Sequence, residues 1–387
     1  MQKITRIHMP DFVVGRGALT FIKSLGKKKI GIIRGGKSYT SDVEQTIEQS
    51  VKALEGEYCI LAQISGEPCA QDIFKHMEKV RQFQPDMILA IGGGSVLDTA
   101  KAIHLFYENP TLTFEEALIP YSLPPLGKKA IHVAAPTTSG TGSEATSVAV
   151  FIDEASKTKK LMLDPGLIPH YAIIDANLTD TLSDALFIST SMDALTHAIE
   201  ASVATNASEM IKSIALEAAV DIIENLTSAL AAKSHKQKAA REKIHVAAAL
   251  AGVAITNACT GIVHSYDHPG AMYQIGHGQI CTLMLPYAIK ICDEQKEYAT
   301  LAKRLGYQGT TQELTRHLIQ HIFALKQELQ LPLTFQELGI DREDYFSHVQ
   351  TWATQSLDAF ATRVSPANMT KEKGVMFYRM CYEGIDN

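Results

Sequence analysis

The chain has 387 residues, more than a single ordinary hydrophobic core organises, so two domains are expected. Hydrophobic residues make up 46% and charged residues 20%, a globular rather than disordered composition. The net charge of -6, a pI near 6.2 and the lack of any Lys/Arg block argue against nucleic acid as the main partner.

The first residues lack the apolar core of an export signal, and no run of about 18 apolar residues offers a membrane span. The most apolar stretch, 246–255, reads as a buried helix. A cytoplasmic protein with no membrane partner is expected. The six cysteines form no CxxC pair and read as reduced thiols filling the core.

In chain order, 29–33 is a short apolar strand ending at Gly35-Gly36, and 42–54 has helical period. Residues 58–62 read as a strand ending at Ser65-Gly66, and 73–83 as a helix. Residues 87–91 are a buried strand ending in Gly92-Gly93-Gly94-Ser95, and 131–135 another ending in Pro136-Thr137-Thr138. Such alternation implies a parallel sheet covered by helices on both faces. After Asp184 strand signals vanish, and Ala-, Leu- and Ile-rich helical segments follow at 193–205, 209–232, 238–257, 297–305 and 311–329. Thr, Asp and Ser cluster at 178–184, so the boundary is placed there: an α/β domain at 1–182 and an all-helical domain at 183–387.

Two loops carry the first chemical signal. Gly92-Gly93-Gly94-Ser95 joins a buried strand to a helix, where glycines let a bulky anion approach and the helix N-terminus offers free N–H groups. The spacing is not GxGxxG, and a plain tight turn explains it equally well alone. The second loop, Pro136-Thr137-Thr138-Ser139-Gly140-Thr141-Gly142-Ser143-Glu144, is dense in hydroxyls and glycines. Two such loops at the carboxyl ends of parallel strands mark a dinucleotide crevice.

The second signal is a set of metal-ligating side chains. Asp193 and His197 stand four apart in a helical segment and share a face. By itself that pair also suits a surface interaction. His264, His268 and His277 then crowd into one short Pro- and Gly-containing stretch. Asp193, His197, His264 and His277 supply one oxygen and three nitrogens, a set suited to Fe(II) or Zn(II) rather than Mg or Ca. His268 is left over beside the metal, or is a satisfied histidine in a packed turn.

These motifs together resemble the iron-containing alcohol dehydrogenase family. The resemblance runs from Phe12-Val13-Val14-Gly15 through IGGGSVLDTAKAI (91–103), APTTSGTGSE (135–144), DANLTDTL (175–182) and MDALTHAIEA (192–201). It continues over 264–278 to Ser365-Pro366-Ala367-Asn368-Met369-Thr370. It implies a Rossmann-like, dehydroquinate synthase-like α/β coenzyme domain followed by an all-α domain, with the active site between them. By position, Asp193, His197, His264 and His277 match the family's metal ligands, and His268 matches a histidine near the nicotinamide. Gly93, Gly94, Ser95, Asp98, Thr137, Thr138 and Thr141 match coenzyme contacts, and Lys159 or Lys160 a lysine near the nicotinamide ribose. The family also implies a dimer or larger homo-oligomer.

This sequence departs from the family pattern at several points. Ser191 replaces a glycine, Ser183-Asp184 stands in place of prolines, and the stretch from His268 to His277 is one residue short, which leaves the pose of His277 open. Asp267 replaces a small residue and adds an anion that should disfavour very anionic substrates.

The expected reaction is hydride transfer between NAD(P)(H) and a small alcohol or aldehyde, with the metal polarising the oxygen and His268 relaying a proton. A dehydroquinate synthase-like lyase needs a basic phosphate cluster that the ligand motifs lack, and a zinc-type glycerol dehydrogenase is a nearer alternative. A substrate pocket lined near Ile255, Thr256, Cys259 and Thr260 suits a modest organic molecule. The first strand ends in Arg34-Gly35-Gly36-Lys37-Ser38 with no acid, a loop like the Gly-Gly-x-Ser of NADPH-using relatives. With Gly35 and Gly36 leaving room, Ser38 donating and Arg34 or Lys37 neutralising a 2′-phosphate, NADP(H) is favoured over NAD(H). Glu67 is the one acid placed to oppose it.

Overall fold

The computed structural model describes residues 6–36, 39–66, 68–152, 159–230 and 235–385. Among them the strands are β1 (Asp11–Val14), β2 (Lys29–Gly35), β3 (Glu57–Ile64), β4 (Met87–Gly92), β5 (Ile131–Pro136), β6 (Val148–Ile152), β7 (Lys159–Leu163) and β8 (Tyr171–Ile174). Six of them form one sheet in the order β1-β8-β5-β4-β2-β3, and every pairing in it is parallel. β6 and β7 make a separate antiparallel hairpin.

The alternation of side chains along β4 explains the two cores. Met87, Leu89 and Ile91 point to one face, where they pack with Ile30, Ile32, Val43 and Ile47. Ile88 and Ala90 point to the other, with Ile33, Ile73, Val80, Leu97 and Ile103. Helix α1 (Ser41–Ala53) covers the first face, while α2 (Ala70–Phe83) and α3 (Gly94–Glu108) cover the second, with α4 (Phe114–Ala117) a short turn beyond. Being covered on both sides, β4 is buried throughout, which is why it reads as an unbroken apolar run.

From Asp184 onward the described chain is helical: α5 (Asp184–Val203), α6 (Glu209–Leu230), α7 (His235–Ala258), α8 (Ile262–Ser265), α9 (His268–Met272), α10 (His277–Cys292), α11 (Lys296–Arg304), α12 (Thr311–Glu328), α13 (Arg342–Gln355), α14 (Phe360–Val364) and α15 (Lys371–Glu383). Small residues such as Ala194, Ala198, Ala218, Ala247 and Ala251 are fully or almost fully buried and let α5, α6 and α7 pack closely. The residues that replace the family's prolines begin α5 by another route. Ser183 Oγ accepts from the Leu186 N–H at 3.4 Å, and Asp184 pairs with Arg241 at 2.8 Å. Among the described residues no helix is long and apolar enough to cross a membrane.

From Ser191 to Val203 every residue of α5 is buried. A helix buried all round cannot leave charged groups idle, because a buried charge costs several kcal/mol unless it is paired or ligates a cation. Asp193, His197 and Glu200 therefore demand an account.

Candidate active site

Asp193 lies at the centre of a cluster. Its Oδ1 is 3.7 Å from His197 Nε2, 3.7 Å from His264 Nε2 and 3.6 Å from His277 Nε2. His197 and Asp193 come from successive turns of α5, His264 from α8, and His277 from the first position of α10. The loop before His277 closes with Gln274 in the left-handed region (φ 54°) and an Ile275 N–H bond of 2.9 Å to Gly270 O, and it reaches Asp193 despite its shortness. The His197 ring stacks on His264 with centroids 4.7 Å apart.

The fourth close donor is not a histidine. Asp193, His264, His277 and Cys281 each offer a ligand atom, and these atoms all lie within 4.8 Å of one another. His197 touches this group through Asp193 and His264 but stands outside it. Cys281 sits one turn beyond His277 on the same face of α10.

Behind the donors stand carboxylates. Glu200 Oε2 accepts from His264 Nδ1 at 2.6 Å, and its Oε1 accepts from the Val263 N–H at 2.6 Å. Asp267 Oδ2 is 3.4 Å from His277 Nδ1 and 2.8 Å from Lys159 Nζ. A carboxylate on Nδ1 fixes the proton there and leaves Nε2 with its lone pair toward Asp193. The charge of Asp267 is thus compensated by Lys159 while it orients His277.

The electrostatics agree. Burial pushes the Asp193 carboxyl up, but His197, His277 and His264 outweigh it and hold it well below the carboxylate range. Cys281, against burial and with help from Asp193 and Asp267, raises His277 to about 10. Burial opposes charging of His264, yet Cys281 and Glu200 hold it well above its usual value. Burial drives His197 down to about 4. The anionic groups thus draw positive charge to His264 and His277 while His197 stays neutral, and one divalent cation supplies that charge in place of the protons.

Whether the residues fit such a cation is decided by two observations. Asp193 is 3% exposed, and its Oδ1 has no hydrogen-bond partner. Two ligands each about 2.1 Å from a tetrahedral cation sit roughly 3.4 Å apart, close to the Oδ1–Nε2 separations. A buried, unpartnered carboxylate oxygen ringed by imidazole nitrogens at that spacing fits a transition metal.

His268 opens α9 and lies beside this cluster in sequence but turns to Ser356, with Nε2 3.1 Å from Oγ. Burial lowers its pKa. Thr256 ties α7 to the loop after Gly142, donating to Ala145 O at 3.1 Å and accepting from the Ser147 N–H at 3.3 Å. Cys259 is half-buried with φ 90°, and Thr260 faces the same cavity as Glu200.

The glycine-rich and threonine-rich loops come together at the sheet's carboxyl edge. Gly93 is the N-cap of α3 and no side chain caps the helix, so its first two N–H groups, at Gly94 and Ser95, are free. A Cβ on Gly93 would lie 3.4 Å from Thr138, and one on Gly94 2.9 Å from Thr141, so the glycine loop and the threonine loop face each other. Thr137 donates its N–H to Gly92 O at 3.0 Å, and Ser95 follows in the first turn of α3. Asp98 is buried and internally engaged: Oδ1 accepts from Ser143 Oγ at 2.5 Å and Oδ2 from the Val150 N–H at 2.9 Å. It braces α3 against the threonine loop and β6. Gly35 ends β2 with Gly36 just beyond, while Lys37, Ser38 and Glu67 lie outside the described residues. Arg34 stacks over the Tyr39 ring at 4.6 Å, and its buried Nε has no partner. Lys159, in β7, pairs with Asp267.

Sequence reasoning passed over Glu200 and Cys281. Each carried a usable signal: Glu200 lies seven residues after Asp193 on one helix, and Cys281 lies four after His277.

Fold and site together define an oxidoreductase class. Residues 10–176 match the family described as iron-containing alcohol dehydrogenase, and residues 187–382 match its C-terminal family. The NADPH-dependent butanol dehydrogenase of Clostridium saccharobutylicum is 35% identical over 382 residues, 97% of each chain. A 1,3-propanediol oxidoreductase structure is similar with a TM-score of 0.89 at 26% identity, covering 98% of this chain and all (100%) of that one. The iron-containing alcohol dehydrogenase of Thermococcus thioreducens gives 0.88 at 28% identity, over 99% and 100% of the two chains. The chain belongs to the iron-containing alcohol dehydrogenase family.

Proposed function

We propose that this alcohol dehydrogenase reduces small aldehydes, or oxidises the matching alcohols, at a divalent cation held by Asp193, His197, His264 and His277, with NADP(H) preferred over NAD(H). Reaction class and family are those of a metal-dependent, NAD(P)-linked alcohol dehydrogenase. The observation that carries the site is the buried, unpartnered Asp193 Oδ1 at 3.6–3.7 Å from three imidazole nitrogens. When bound, the cation polarises the substrate oxygen and the nicotinamide exchanges hydride with the carbon beside it.

The chain's own residues do the rest. Glu200 and Asp267 orient two of the imidazoles. The free N–H groups opening α3, with Gly93, Gly94 and Ser95, suit the pyrophosphate, and Thr137, Thr138 and Thr141 offer hydroxyls across from them. Asp98 keeps the two loops in register, and Lys159 joins the hairpin to the loop carrying His268. His268 holds or relays the proton that accompanies hydride transfer. In this reading residues 1–182 bind coenzyme and 183–387 hold the metal, Fe(II) with Zn(II) as the alternative, in a homo-oligomer.

The preference for NADP(H) is supported by the acid-free end of β2, with Gly35, Gly36 and Arg34 there and Lys37 and Ser38 next in sequence. It is also in keeping with the NADPH dependence named for the Clostridium relative. The test is an aldehyde and alcohol panel run on chelated enzyme resupplied with Fe(II) or Zn(II), with each coenzyme. NADPH should give the higher kcat/KM on the best aldehyde. Full activity without metal, or a clear NADH preference, overturns the corresponding part.

A further inference from the structure

Cys281 is the donor that neither sequence patterning nor the Asp/His set accounts for. Its Sγ is 3.7 Å from His277 Nε2 and 3.8 Å from His264 Nε2, and the side chain is fully buried. The other buried cysteines have different surroundings. Cys292 Sγ lies 3.5 Å from Ser365 Oγ, and Cys381 packs in the helical core.

A single thiol proton can serve only one of the two imidazole nitrogens. Both Nε2 atoms turn lone pairs the same way, because Glu200 and Asp267 hold the Nδ1 protons. The third neighbour of this space is the buried Asp193 Oδ1, which has no hydrogen-bond partner. A sulfur about 2.3 Å and a nitrogen about 2.05 Å from one tetrahedral cation would stand roughly 3.6 Å apart. The observed sulfur–nitrogen separations match that spacing, as the oxygen–nitrogen separations do.

We infer that Cys281 Sγ is a further ligand of the cation held by Asp193, His197, His264 and His277, making this a mixed sulfur, nitrogen and oxygen centre. This rests on the reading that the Asp193 cluster binds a divalent cation. The consequence is selectivity: thiolate is a soft donor, and adding it to the Asp/His set shifts the site toward Zn(II) and Co(II) relative to the same set without it. The thiolate and the Asp193 carboxylate together cancel the cation's two charges, so the centre is less electrophilic than one with a single anionic ligand.

Cobalt separates the possibilities. Full-length enzyme is stripped and loaded with Co(II). Visible d–d bands and bound-metal analysis report occupancy, and a near-ultraviolet sulfur-to-cobalt charge-transfer band reports thiolate ligation. The expected result is one Co(II) per chain with that band, and a band lost in Cys281→Ala and Cys281→Ser while Co(II) stays bound. The zinc-over-iron preference should also fall in both variants. Serine keeps nearly the volume of cysteine, so it serves where alanine disturbs the fold. Bound Co(II) without the band, or a band that survives both substitutions, overturns the inference and leaves the Asp/His site standing. Failure of the native chain to bind Co(II), or equal binding by Asp193→Ala, overturns the cation reading itself and this inference with it.

Discussion

Glu200 shows how much a residue can matter without touching a substrate. It spends both oxygens on the segment carrying His264, one accepting from the ring and one from the N–H of the preceding residue, Val263. Removing the carboxylate frees the imidazole to rotate and to move its proton to Nε2. Glu200→Ala should therefore weaken metal binding by about 10–100-fold, read by chelator competition, with secondary structure unchanged. Unchanged affinity would mean that packing alone orients His264. His268 is the complementary case. Its pKa is lowered by burial, so it is mainly neutral at pH 7 and able to pass a proton in either direction. A folded pKa below the ordinary value means that the ring takes up its proton only as the pH falls past that lowered value. Activity that depends on neutral His268 should hold through neutral pH and decline on the acid side. His268→Ala should keep its metal, lower turnover by roughly 100-fold or more, and lose that acid limb. Loss of bound metal in the variant would make His268 a ligand instead.

At the scale of elements, the contact between α7 and the threonine loop couples the helical half to the coenzyme edge. Gly142 has φ 63°, and a Cβ there would lie 2.5 Å from Gly252 Cα; a Cβ on Gly252 would lie 2.6 Å from Gly142 O. The two backbones touch, so neither position has room for a methyl group. Gly252→Ala should push the threonine loop off α7, lower stability by about 1–3 kcal/mol and raise the KM for coenzyme. A thermal melt and a coenzyme titration check both, and a variant unchanged in each would show that the loop relocates freely. Such a contact was not legible from sequence, because nothing in periodicity says which helix meets which loop. The strands β2, β4 and β5 were legible because a doubly covered strand is an unbroken apolar run, β3 because its short apolar run stops at Ser65-Gly66, and α1, α2, α5, α6 and α7 because their period is helical. β1 and β8 are only four residues each, too short to carry a pattern. The β6–β7 hairpin went unseen because β7 begins with two lysines, which read as solvated charge. The gathering of His197, His264 and His277 around Asp193 was readable from residue type and spacing. Cys281 carried a signal in its spacing from His277, but a cysteine in an apolar helix usually fills space and reads as core.

Across the whole molecule, links between the sheet-bearing and helical parts are spread over the interface rather than confined to a hinge. Asn257 exchanges two backbone bonds of 2.8 Å with His8, and Ser139 Oγ meets the buried His245 Nδ1 at 3.0 Å. Arg16 pairs with Glu242 at 3.3 Å and donates to Lys238 O at 3.0 Å. Arg241, buried, donates to Thr179 O at 3.3 Å. Phe12 packs with Ala249 in a small apolar cluster that spans both parts. Several of these polar groups are buried, so separating the parts would expose or orphan them, at a cost of about 1–3 kcal/mol for each one left unpaired. The interface should therefore not open while either part stays folded, and calorimetry should give one cooperative unfolding transition for the metal-loaded enzyme. Because the proposed cation site is assembled from α5, α8 and α10 only in the folded chain, stripping the metal should lower the midpoint of that same transition. Two resolved transitions, with the chelator moving only the second, would show instead that the parts unfold independently and that the metal stabilises the helical part alone.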